Sequence, residues 1–582
     1  MHRPTSPVYD PLAVTNFPSS RTFAPCAPPS PHPLESYWTA HFASSLTHRN
    51  ASAPLPLAAE VVIIGSGLTG SCAAAALVDQ LISHPVRDTE SEVQTTRVVV
   101  LEARTFSSGA TGRNGGHLTA YPIAHFEALC REVGEEDAVR AVKLEDEAIR
   151  WVLETVKSKG WEEDVDLQKG GGTLVLYDSP SQLSSVKASL AAASKAGLDA
   201  TVVRLVDKAE ARRTWGAECE GAIMVPGNNL FPLKFTTKLF QCAERRALAA
   251  ASAAKEAGAA PPVQLELFTH AVVSGVGRAL GVDGDEGRWT VKTARGDIEA
   301  THVLHATNGY ASSVLPSFAQ TPNSHSGILP TRAQLASFLP LSPPPPSSSF
   351  ANWRNAFSPS SDSPGRGVNT YVFRRAWSAA GEKEGEVIVG GMREHAEGWE
   401  WGVSDDASLN EVVGGKIRES VGTVWPRVFE LEAEGEKERR GEERKEGEKV
   451  RLRVQREWTG IMGYRASGNP VVGPVHLDGE KQDGQWIAAG YSGHGMPRAP
   501  PCAHLVASLI HHHLSSSSPS TTPLPSFTLP PHFPRHLLAT PDGEGRSTTR
   551  LDEEEPEEKE GTRKRRKEKG WVWVEKRRER DG

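Results

Sequence analysis

The distribution of apolar and polar positions along the chain predicts a mixed α/β protein. The first continuous apolar run, 61–64, leads into a glycine turn and then into a small-residue helical stretch, 71–77. Short runs rich in β-branched residues predict further strands. These runs lie at 97–101, 169–179, 201–205, 263–268, 289–293, 302–306 and 485–489. Helical patterns predict helices at 125–158, 180–196 and 503–511.

Segments without such periodicity surround this predicted body. Residues 1–57 are rich in Pro, Ser and Ala, which predicts an N-terminal arm that is partly disordered and pinned by Tyr37 and Trp38. Residues 341–349 form a Pro/Ser loop, and about 430–450 is a charged insertion, either a solvated helix or disordered. From 513 to 582 the chain is Ser/Pro-rich and then charged, which predicts a disordered tail.

Composition and charge exclude several classes of protein. The 582 residues include 65 Lys and Arg against 72 Asp and Glu, and the net charge of -7 excludes a globally basic nucleic-acid-binding protein. No apolar run approaches the ~20 residues that span a bilayer, and no secretory signal is evident at the N-terminus. The six cysteines are widely spaced, without a Cys-x-x-Cys motif. We therefore expect free thiols in a reducing, cytoplasmic compartment.

A dinucleotide-binding fingerprint follows the first predicted strand. Residues 65–70 read Gly-Ser-Gly-Leu-Thr-Gly, a G-x-G-x-x-G between strand and helix. The first glycine permits a tight turn, the second lets the backbone approach a pyrophosphate, and the third lets the helix pack on the strand. Glu102, which ends the next strand, is placed to accept hydrogen bonds from ribose hydroxyls. The alternative is a glycine turn in an unrelated α/β domain.

Two further glycine-rich segments indicate a flavin rather than a nicotinamide. The run 108–117 is half Gly and Ala, so its backbone either lies flat against a large planar group or forms a flexible hinge. The strand 485–489 leads into Gly-Tyr-Ser-Gly-His-Gly-Met at 490–496 and then into a helix. This second strand–turn–helix directs a positive helix end at an anion. Reduced flavin carries negative charge near N1 and O2, which suits that position.

Together these segments resemble the FAD-dependent oxidoreductases of the D-amino-acid oxidase superfamily, which includes glycine, sarcosine and γ-glutamylputrescine oxidases. The resemblance covers about 58–512 and is greatest to a group of fungal members. The shared segments are SYW (36–38), EVVIIGSGLTG (60–70), LEAR (101–104), SGATGRNGGH (108–117), ILPTRAQ (328–334), EVIVGG (386–391), EWTGIMGY (457–464), NPVVGPV (469–475) and IAAGYSGHGMP (487–497).

The resemblance implies a bilobed fold of the α/β class, α+β overall. The implied Rossmann-like FAD-binding domain is discontinuous and comprises 58–160, 200–312 and 453–512. The implied substrate domain, a mostly antiparallel sheet, comprises 161–199 and 313–452. The implied function is oxidation of a C–N bond in a small amine or amino acid, with FAD accepting the hydride and without a metal. Two alternatives remain: an FAD-linked dehydrogenase of a hydroxy acid or polyol phosphate, and a non-catalytic FAD-binding scaffold.

The resemblance also implies cofactor-binding residues, carried over motif by motif. Those at the pyrophosphate are Gly65, Ser66, Gly67, Leu68, Thr69 and Gly70. Those at the adenosine ribose are Glu102, Ala103 and Arg104. Those beside the isoalloxazine are Gly112, Arg113, Asn114, Gly115, Gly116 and His117, and those at its pyrimidine end are Gly490, Gly493, His494, Gly495 and Met496.

Candidate catalytic residues follow from the chemistry that such a flavin needs. His494 is flanked by two glycines, so its imidazole can approach reduced flavin and stabilise negative charge, unless it only caps a turn. An amino-acid substrate needs a carboxylate clamp, for which the planar fork of arginine is suited. Arg374 is the preferred clamp; the other candidates are Arg332, Arg375 and Arg393, and each arginine is alternatively structural. Tyr464 and Tyr371 line the pocket or pack in the core.

Two places depart from the resemblance. Relatives often carry an acid within the segment equivalent to 465–470, and this chain does not. Residues 498–502, Arg-Ala-Pro-Pro-Cys, place two prolines where a helix is expected to begin. The histidines at 511–513 are interpreted as solvated rather than as metal ligands, because adjacent residues do not share a helix face.

Overall fold

A computed structural model describes most of the chain. The described residues are 17–87, 92–120, 122–279, 288–321, 326–341, 348–360, 370–375, 385–431, 449–516 and 528–539. Nearly all of the predicted charged insertion, most of the predicted tail and most of the Pro/Ser loop therefore lie outside the described residues.

The described residues form ten α-helices. They are α1 (Tyr37–Ala40), α2 (Leu68–Ser83), α3 (Phe126–Val133), α4 (Glu135–Lys159), α5 (Pro180–Lys195), α6 (Lys208–Trp215), α7 (Pro232–Glu256), α8 (Ala311–Val314), α9 (Glu411–Val424) and α10 (Gly495–Ser516). Within the described part of the chain, none of these helices is both long and apolar enough to cross a membrane.

The same residues form nineteen strands. They are β1 (Ala58–Ile64), β2 (Thr96–Leu101), β3 (His117–Thr119), β4 (Thr173–Tyr177), β5 (Arg204–Asp207), β6 (Gly221–Val225), β7 (Gly227–Asn229), β8 (Val263–Phe268), β9 (Val273–Arg278), β10 (Trp289–Thr293), β11 (Ile298–His305), β12 (Leu329–Pro340), β13 (Ala356–Ser360), β14 (Tyr371–Arg374), β15 (Val387–Gly390), β16 (Phe429–Leu431), β17 (Val450–Tyr464), β18 (Val471–Leu477) and β19 (Glu480–Ala489).

The first sheet has a parallel centre in the order β19-β11-β1-β2-β8, and β18 pairs antiparallel at one edge. The apolar run 61–64 in β1 is continuous because both faces of this sheet are covered. Val61 and Ile63 pack into the core that includes α2, and Val62 and Ile64 pack into a second core with β9 and β10. The G-x-G-x-x-G turn connects β1 to α2, as the sequence predicts.

The second sheet has nine strands in the order β16-β17-β12-β15-β14-β13-β4-β6-β5. All its pairings are antiparallel except β13 with β4 and β16 with β17. A Rossmann-like sheet beside a mostly antiparallel sheet confirms the predicted fold class. Residues of α9 pack with this sheet in a separate apolar core.

The sheets divide the chain differently from the predicted domain boundaries. The strands β5 and β6 lie within the segment 200–312, which was assigned to the FAD-binding domain, yet they pair with β4 in the nine-stranded sheet. Most of β17 lies within 453–512, also assigned to that domain, yet β17 pairs with β12 from Leu452 to Tyr464. These two assignments are wrong because an apolar pattern predicts a strand but does not specify its partner.

Two ends of the chain pack on the body more closely than predicted. In the arm, Trp38 is fully buried and donates from Nε1 to the Asn114 carbonyl at 2.6 Å. In the predicted disordered tail, Phe533 and Leu537 are buried, and the amide of Ala539 donates to the Val472 carbonyl at 2.7 Å. The prediction of a tail without structure is therefore wrong for 528–539, and also for 513–516, which continue α10.

The last helix begins earlier than the sequence predicts. It starts at Gly495 rather than at 503, and Pro500 and Pro501 lie inside it. Neither proline can donate a backbone hydrogen bond, so the first turns of α10 lack two bonds of a regular helix. The strand predicted at 201–205 is also displaced, because a short 3₁₀ turn occupies Ala200–Val202 and β5 begins at Arg204.

Candidate cofactor and substrate site

A cavity of about 440 Å³ lies where the carboxyl ends of β1 and β2 face the nine-stranded sheet. Ile64 and Leu101 line it from the first sheet, and Ala333, Tyr371 and Met462 line it from β12, β14 and β17. Open α/β sheets bind their ligands at the carboxyl ends of parallel strands. The cavity therefore occupies the position at which this fold offers a ligand site.

Most of the predicted site residues line this cavity. They are Gly65, Gly67, Leu68, Thr69, Glu102, Ala103, Arg104, Arg113, Asn114, Gly115, His117, Tyr464, Gly493, His494, Gly495 and Met496. Six predicted residues are not part of the lining: Ser66, Gly70, Gly112, Gly116, Arg374 and Gly490. The structure thus brings the three predicted segments together around one cavity, and the individual cofactor contacts remain predictions.

The glycines of the fingerprint have different roles. Gly65 has φ +108°, and a Cβ there would lie 2.8 Å from the Ala306 carbonyl oxygen. A Cβ on Gly70 would lie only 1.9 Å from the Gly65 carbonyl oxygen, so this glycine permits α2 to pack on β1. Gly67 has ordinary backbone angles and lines the cavity, and the nearest atom to a Cβ there would be Thr111 Oγ1 at 3.2 Å.

The carboxylate of Glu102 lines the cavity but is engaged by the protein itself. Its Oε2 accepts from the Ser66 amide at 3.1 Å and from Ser66 Oγ at 2.7 Å, and its Oε1 accepts from the Arg104 amide at 3.1 Å. The Ser66 side chain is therefore directed at Glu102, away from the predicted pyrophosphate. A carboxylate has about four acceptor positions, so one remains for a ribose hydroxyl.

The glycine pair at 115 and 116 accommodates aromatic rings of the protein. A Cβ on Gly115 would lie 2.4 Å from the Tyr371 ring, and one on Gly116 would lie 3.1 Å from the Trp38 ring. The Tyr371 ring therefore requires glycine at 115, and the Leu230 carbonyl oxygen, 2.7 Å from a Cβ, together with a φ of +75° requires it at 116. The sequence interpretation assigned this requirement to the flavin. His117 follows them and lines the cavity, and burial lowers its pKa to about 4, so its imidazole is neutral at pH 7.

Arg113 lines the cavity, and the protein itself engages each nitrogen of its guanidinium. Its guanidinium donates to the carbonyls of Ser108, Thr459 and Leu34 at 2.9, 2.6 and 2.6 Å. Burial lowers its pKa to about 10, and the nearby Asp406 carboxylate opposes that shift. Asp406 also accepts from Arg104 at 2.9 Å. This cluster joins the arm to β17 and to the segment that follows β2, at the edge of the cavity.

The predicted pyrimidine end contains a buried carboxylate that the sequence interpretation missed. His494 lines the cavity, and its Nε2 lies 2.9 Å from Oε2 of Glu145 on α4. Arg498 donates from Nε to the other oxygen, Oε1, at 2.7 Å. Glu145 is 1% exposed. Burial raises the pKa of this carboxyl, but the charges and hydrogen bonds of His494 and Arg498 outweigh burial and hold it at about 2.

The four candidate arginines differ in whether their side chains reach the cavity. On β14, Tyr371 lines the cavity, and Arg374 faces the opposite side, where it donates to the Phe350 carbonyl at 2.7 Å. The choice of Arg374 as the clamp is therefore wrong. Arg332 on β12 pairs with Glu400, and Arg375 pairs with Asp166 at 2.8 Å.

Arg393, the fourth candidate, lines the cavity just after β15. Its guanidinium lies over the rings of Trp401 and Tyr464, with 4.2 and 4.8 Å to the ring centroids. One nitrogen donates to the Trp399 carbonyl at 3.1 Å, and the buried Nε has no hydrogen-bond partner among the described residues. This arginine is therefore held in place by stacking and remains available to an anion.

Further cavity residues lie outside the sets predicted to bind the cofactor or to act in catalysis. Asn308 follows β11 with φ +43°, and its Oδ1 accepts from the amides of Gly490 and Tyr491 at 3.1 and 3.4 Å. The amide of Leu68 donates to Thr111 Oγ1 at 2.9 Å. The Ala-Thr-Asn-Gly segment at 306–309, directly after β11, is the local pattern that indicates Asn308. No local pattern identifies Glu145, which lies on the buried face of a long amphipathic helix.

The lining fits FAD at both ends. The first turn of α2 contains no acidic residue, and the cavity reaches Gly67 at its N-cap, where a Cβ would occupy part of the space. At the other end the cavity reaches the glycine-rich start of α10. Two helix N-termini in one cavity suit the pyrophosphate and the anionic reduced flavin. Among the described residues, no group of three His, Cys, Asp or Glu is arranged to hold a metal ion.

Comparison with known families matches residues 60–509 to the DAO family, described as FAD dependent oxidoreductase. Similar solved structures include glycine oxidase from Geobacillus kaustophilus, with 14% identity, 79% of this chain and 95% of that chain covered, and a TM-score of 0.51.

L-proline dehydrogenase from P. horikoshii has 20% identity and a TM-score of 0.52, with 80% of this chain and 96% of that chain covered. L-amino acid deaminase from Proteus vulgaris, with its specific insertion sequence deleted, has 16% identity and a TM-score of 0.50, with 80% and 93% covered. These likenesses concern the fold. No curated protein matches the chain.

Proposed function

Because the chain belongs to the DAO family of FAD-dependent oxidoreductases, we propose that it oxidises a C–N bond of a small amino acid or amine. The observation that carries this proposal is Arg393, a buried guanidinium in the cavity wall whose Nε has no partner among the described residues. Three structural neighbours are named for amino-acid substrates, glycine, L-proline and L-amino acids, and each such substrate carries a carboxylate.

In this proposal, Arg393 binds and orients the substrate carboxylate. Stacking on Trp401 and Tyr464 holds the plane of its guanidinium, so little side-chain entropy is lost when a carboxylate binds. Tyr371 and the neutral His117 form the wall that excludes water on the side of β14. Bound FAD supplies the hydride acceptor. His494 stabilises the negative charge that develops at the start of α10.

The proposal is tested by anaerobic bleaching of the visible flavin absorption with a panel of amino acids, amines and hydroxy acids. We expect amino acids to bleach the flavin and hydroxy acids of the same shape not to do so. Bleaching by hydroxy acids alone would contradict C–N oxidation and support the dehydrogenase alternative. Polyol phosphates are tested in the same way. If neither the panel nor a polyol phosphate bleaches the flavin, the result supports the scaffold alternative.

The role of Arg393 is tested with matched variants. Arg393→Gln should raise KM for amino acids about 10- to 100-fold, because a hydrogen bond to a charged group contributes ~1.5–3 kcal/mol. For amines without a carboxylate the same variant should change KM little. Arg374→Gln, also a buried arginine but outside the cavity lining, serves as the control and should leave KM for both classes unchanged. Equal losses for both classes in Arg393→Gln would contradict a carboxylate clamp.

A further inference from the structure

Glu145 connects the start of α10 to the middle of α4 without lining the cavity. It accepts from His494 and from Arg498 with its two separate oxygens, at 2.9 and 2.7 Å. These partners are four residues apart, one before the helix start and one in its first turn. Both partners line the cavity. One carboxylate therefore holds two cavity residues in fixed relative positions.

The ionised carboxylate also determines which imidazole nitrogen faces the cavity. An ionised carboxylate only accepts hydrogen bonds, so the His494 nitrogen that faces it, Nε2, carries a proton. The structure gives Nδ1 no hydrogen bond among the described residues. Because the side chain is 26% exposed while Nε2 is engaged, the Nδ1 edge is the part of the ring that remains available to a ligand.

The prolines of α10 explain why this helix start needs an external anchor. Pro500 and Pro501 cannot donate to the carbonyls of Met496 and Pro497, which regular α-helix bonding would require. The turn that carries the cavity-lining residues therefore has fewer backbone bonds than a regular helix. The contacts of His494 and Arg498 with Glu145 supply stabilisation at the same turn.

We propose that Glu145 is the positioning residue of the flavin-facing helix end. It fixes His494 with Nδ1 toward the cavity and anchors the first turn of α10 through Arg498. The inference rests on the part of the proposed function that places His494 beside the flavin, and it does not depend on the identity of the substrate. It assigns a role to a side chain 349 residues away from His494 in the sequence.

The test uses FAD-loaded protein and sulfite, which bleaches flavins whose surroundings stabilise negative charge. We expect His494→Gln and Glu145→Gln each to weaken sulfite binding about tenfold, a change of about 1.4 kcal/mol. The double variant should bind sulfite as His494→Gln does, because Glu145 affects the flavin through His494, whereas its contact with Arg498 contributes to the stability of the helix start. Glu154→Gln changes an exposed residue on the same helix and should behave as the unaltered protein.

Several outcomes would overturn the inference. If the losses in the double variant multiply, Glu145 acts independently of His494. If Glu145→Gln only lowers the thermal unfolding midpoint, Glu145 is a structural residue. If Glu145→Gln strengthens sulfite binding, the effect is loss of a negative charge rather than loss of position.

A second variant covers the case in which Glu145→Gln does not fold, since that change leaves Arg498 buried without its anion. Glu145→Asp keeps the charge but is one methylene shorter, so it cannot reach both partners, and sulfite binding should again weaken about tenfold. Unaltered sulfite binding in Glu145→Asp would refute the positioning role. Sulfite binding is measured without any substrate. If the protein oxidises no amine, the proposed function is refuted, but the comparison of sulfite binding can still be interpreted.

Discussion

Adding a single methyl group to either of two glycines should separate packing from cofactor binding. Gly70→Ala places its Cβ 1.9 Å from the Gly65 carbonyl oxygen, and contacts of a Cβ closer than 3.0 Å are essentially never observed. The start of α2 must therefore move about 1 Å away from β1. Overpacking of this kind costs about 1–3 kcal/mol. Gly→Ala inside a helix otherwise stabilises by about 1 kcal/mol, so a net loss would be diagnostic of the clash.

Gly67→Ala is the matched variant. Gly67 has φ -62° and ψ -173°, which alanine adopts without strain, and the nearest atom to its Cβ is Thr111 Oγ1 at 3.2 Å. We expect the stability of the FAD-free protein to change by less than about 1 kcal/mol. FAD affinity should fall strongly, because the methyl group enters the space of the predicted pyrophosphate.

The assay compares two quantities for each variant: the thermal unfolding midpoint of the FAD-free protein, and FAD affinity from titration of the FAD-free protein by flavin fluorescence. Gly70→Ala should lower both, and Gly67→Ala should lower only FAD affinity. An unaltered midpoint in Gly70→Ala would refute the packing argument. Unaltered FAD affinity in Gly67→Ala would refute the placement of the pyrophosphate at this turn.

Two further predictions concern the arm and pH. Deletion of 1–46 should weaken FAD binding relative to deletion of 1–16, because Ser30 and Leu34 supply carbonyl acceptors to Arg104 and Arg113. FAD affinity is measured by fluorescence titration, and equal affinities of the two deletion variants would contradict this reasoning. The contribution of Glu145 to the free energy of unfolding, from urea titrations, should fall by roughly 3 kcal/mol as pH decreases from about 5 to 1. The depressed pKa of Glu145 stabilises the fold only while its carboxylate is ionised. A pH profile of Glu145→Gln with the same slope would contradict that assignment.

The arm also shows where a compositional argument is insufficient. The composition of residues 1–57, rich in Pro, Ser and Ala and without periodicity, predicts a partly disordered arm. In the structure, the amide of Cys26 donates to Ser312 Oγ at 3.1 Å, and Pro29 lines the cavity. Low periodicity predicts the absence of a helix or strand, but it does not exclude an extended segment that binds through its backbone groups.

The features that short segments encode can be predicted without the structure. The glycine turn of 65–70 between β1 and α2, several strand positions and the family follow from residues that are neighbours in the chain. Strands such as β8 (Val263–Phe268) and β10 (Trp289–Thr293) coincide with the predicted runs, because apolar alternation and turn residues act locally. The predicted FAD cofactor also follows from such local motifs, and the family match confirms it.

The set of side chains that share the cavity depends on how distant segments pack. Tyr371 and Arg374 are three residues apart on one strand, so they face opposite sides of the sheet, and the sequence does not state which side meets the cofactor. The pairing of β17 with β12 and the contact of Glu145 with His494 join segments more than 100 residues apart. Such contacts depend on how complete sheets and helices pack, and local propensity contains no information about distant partners. The same reason explains why Arg393, and not Arg374, lies in the cavity wall.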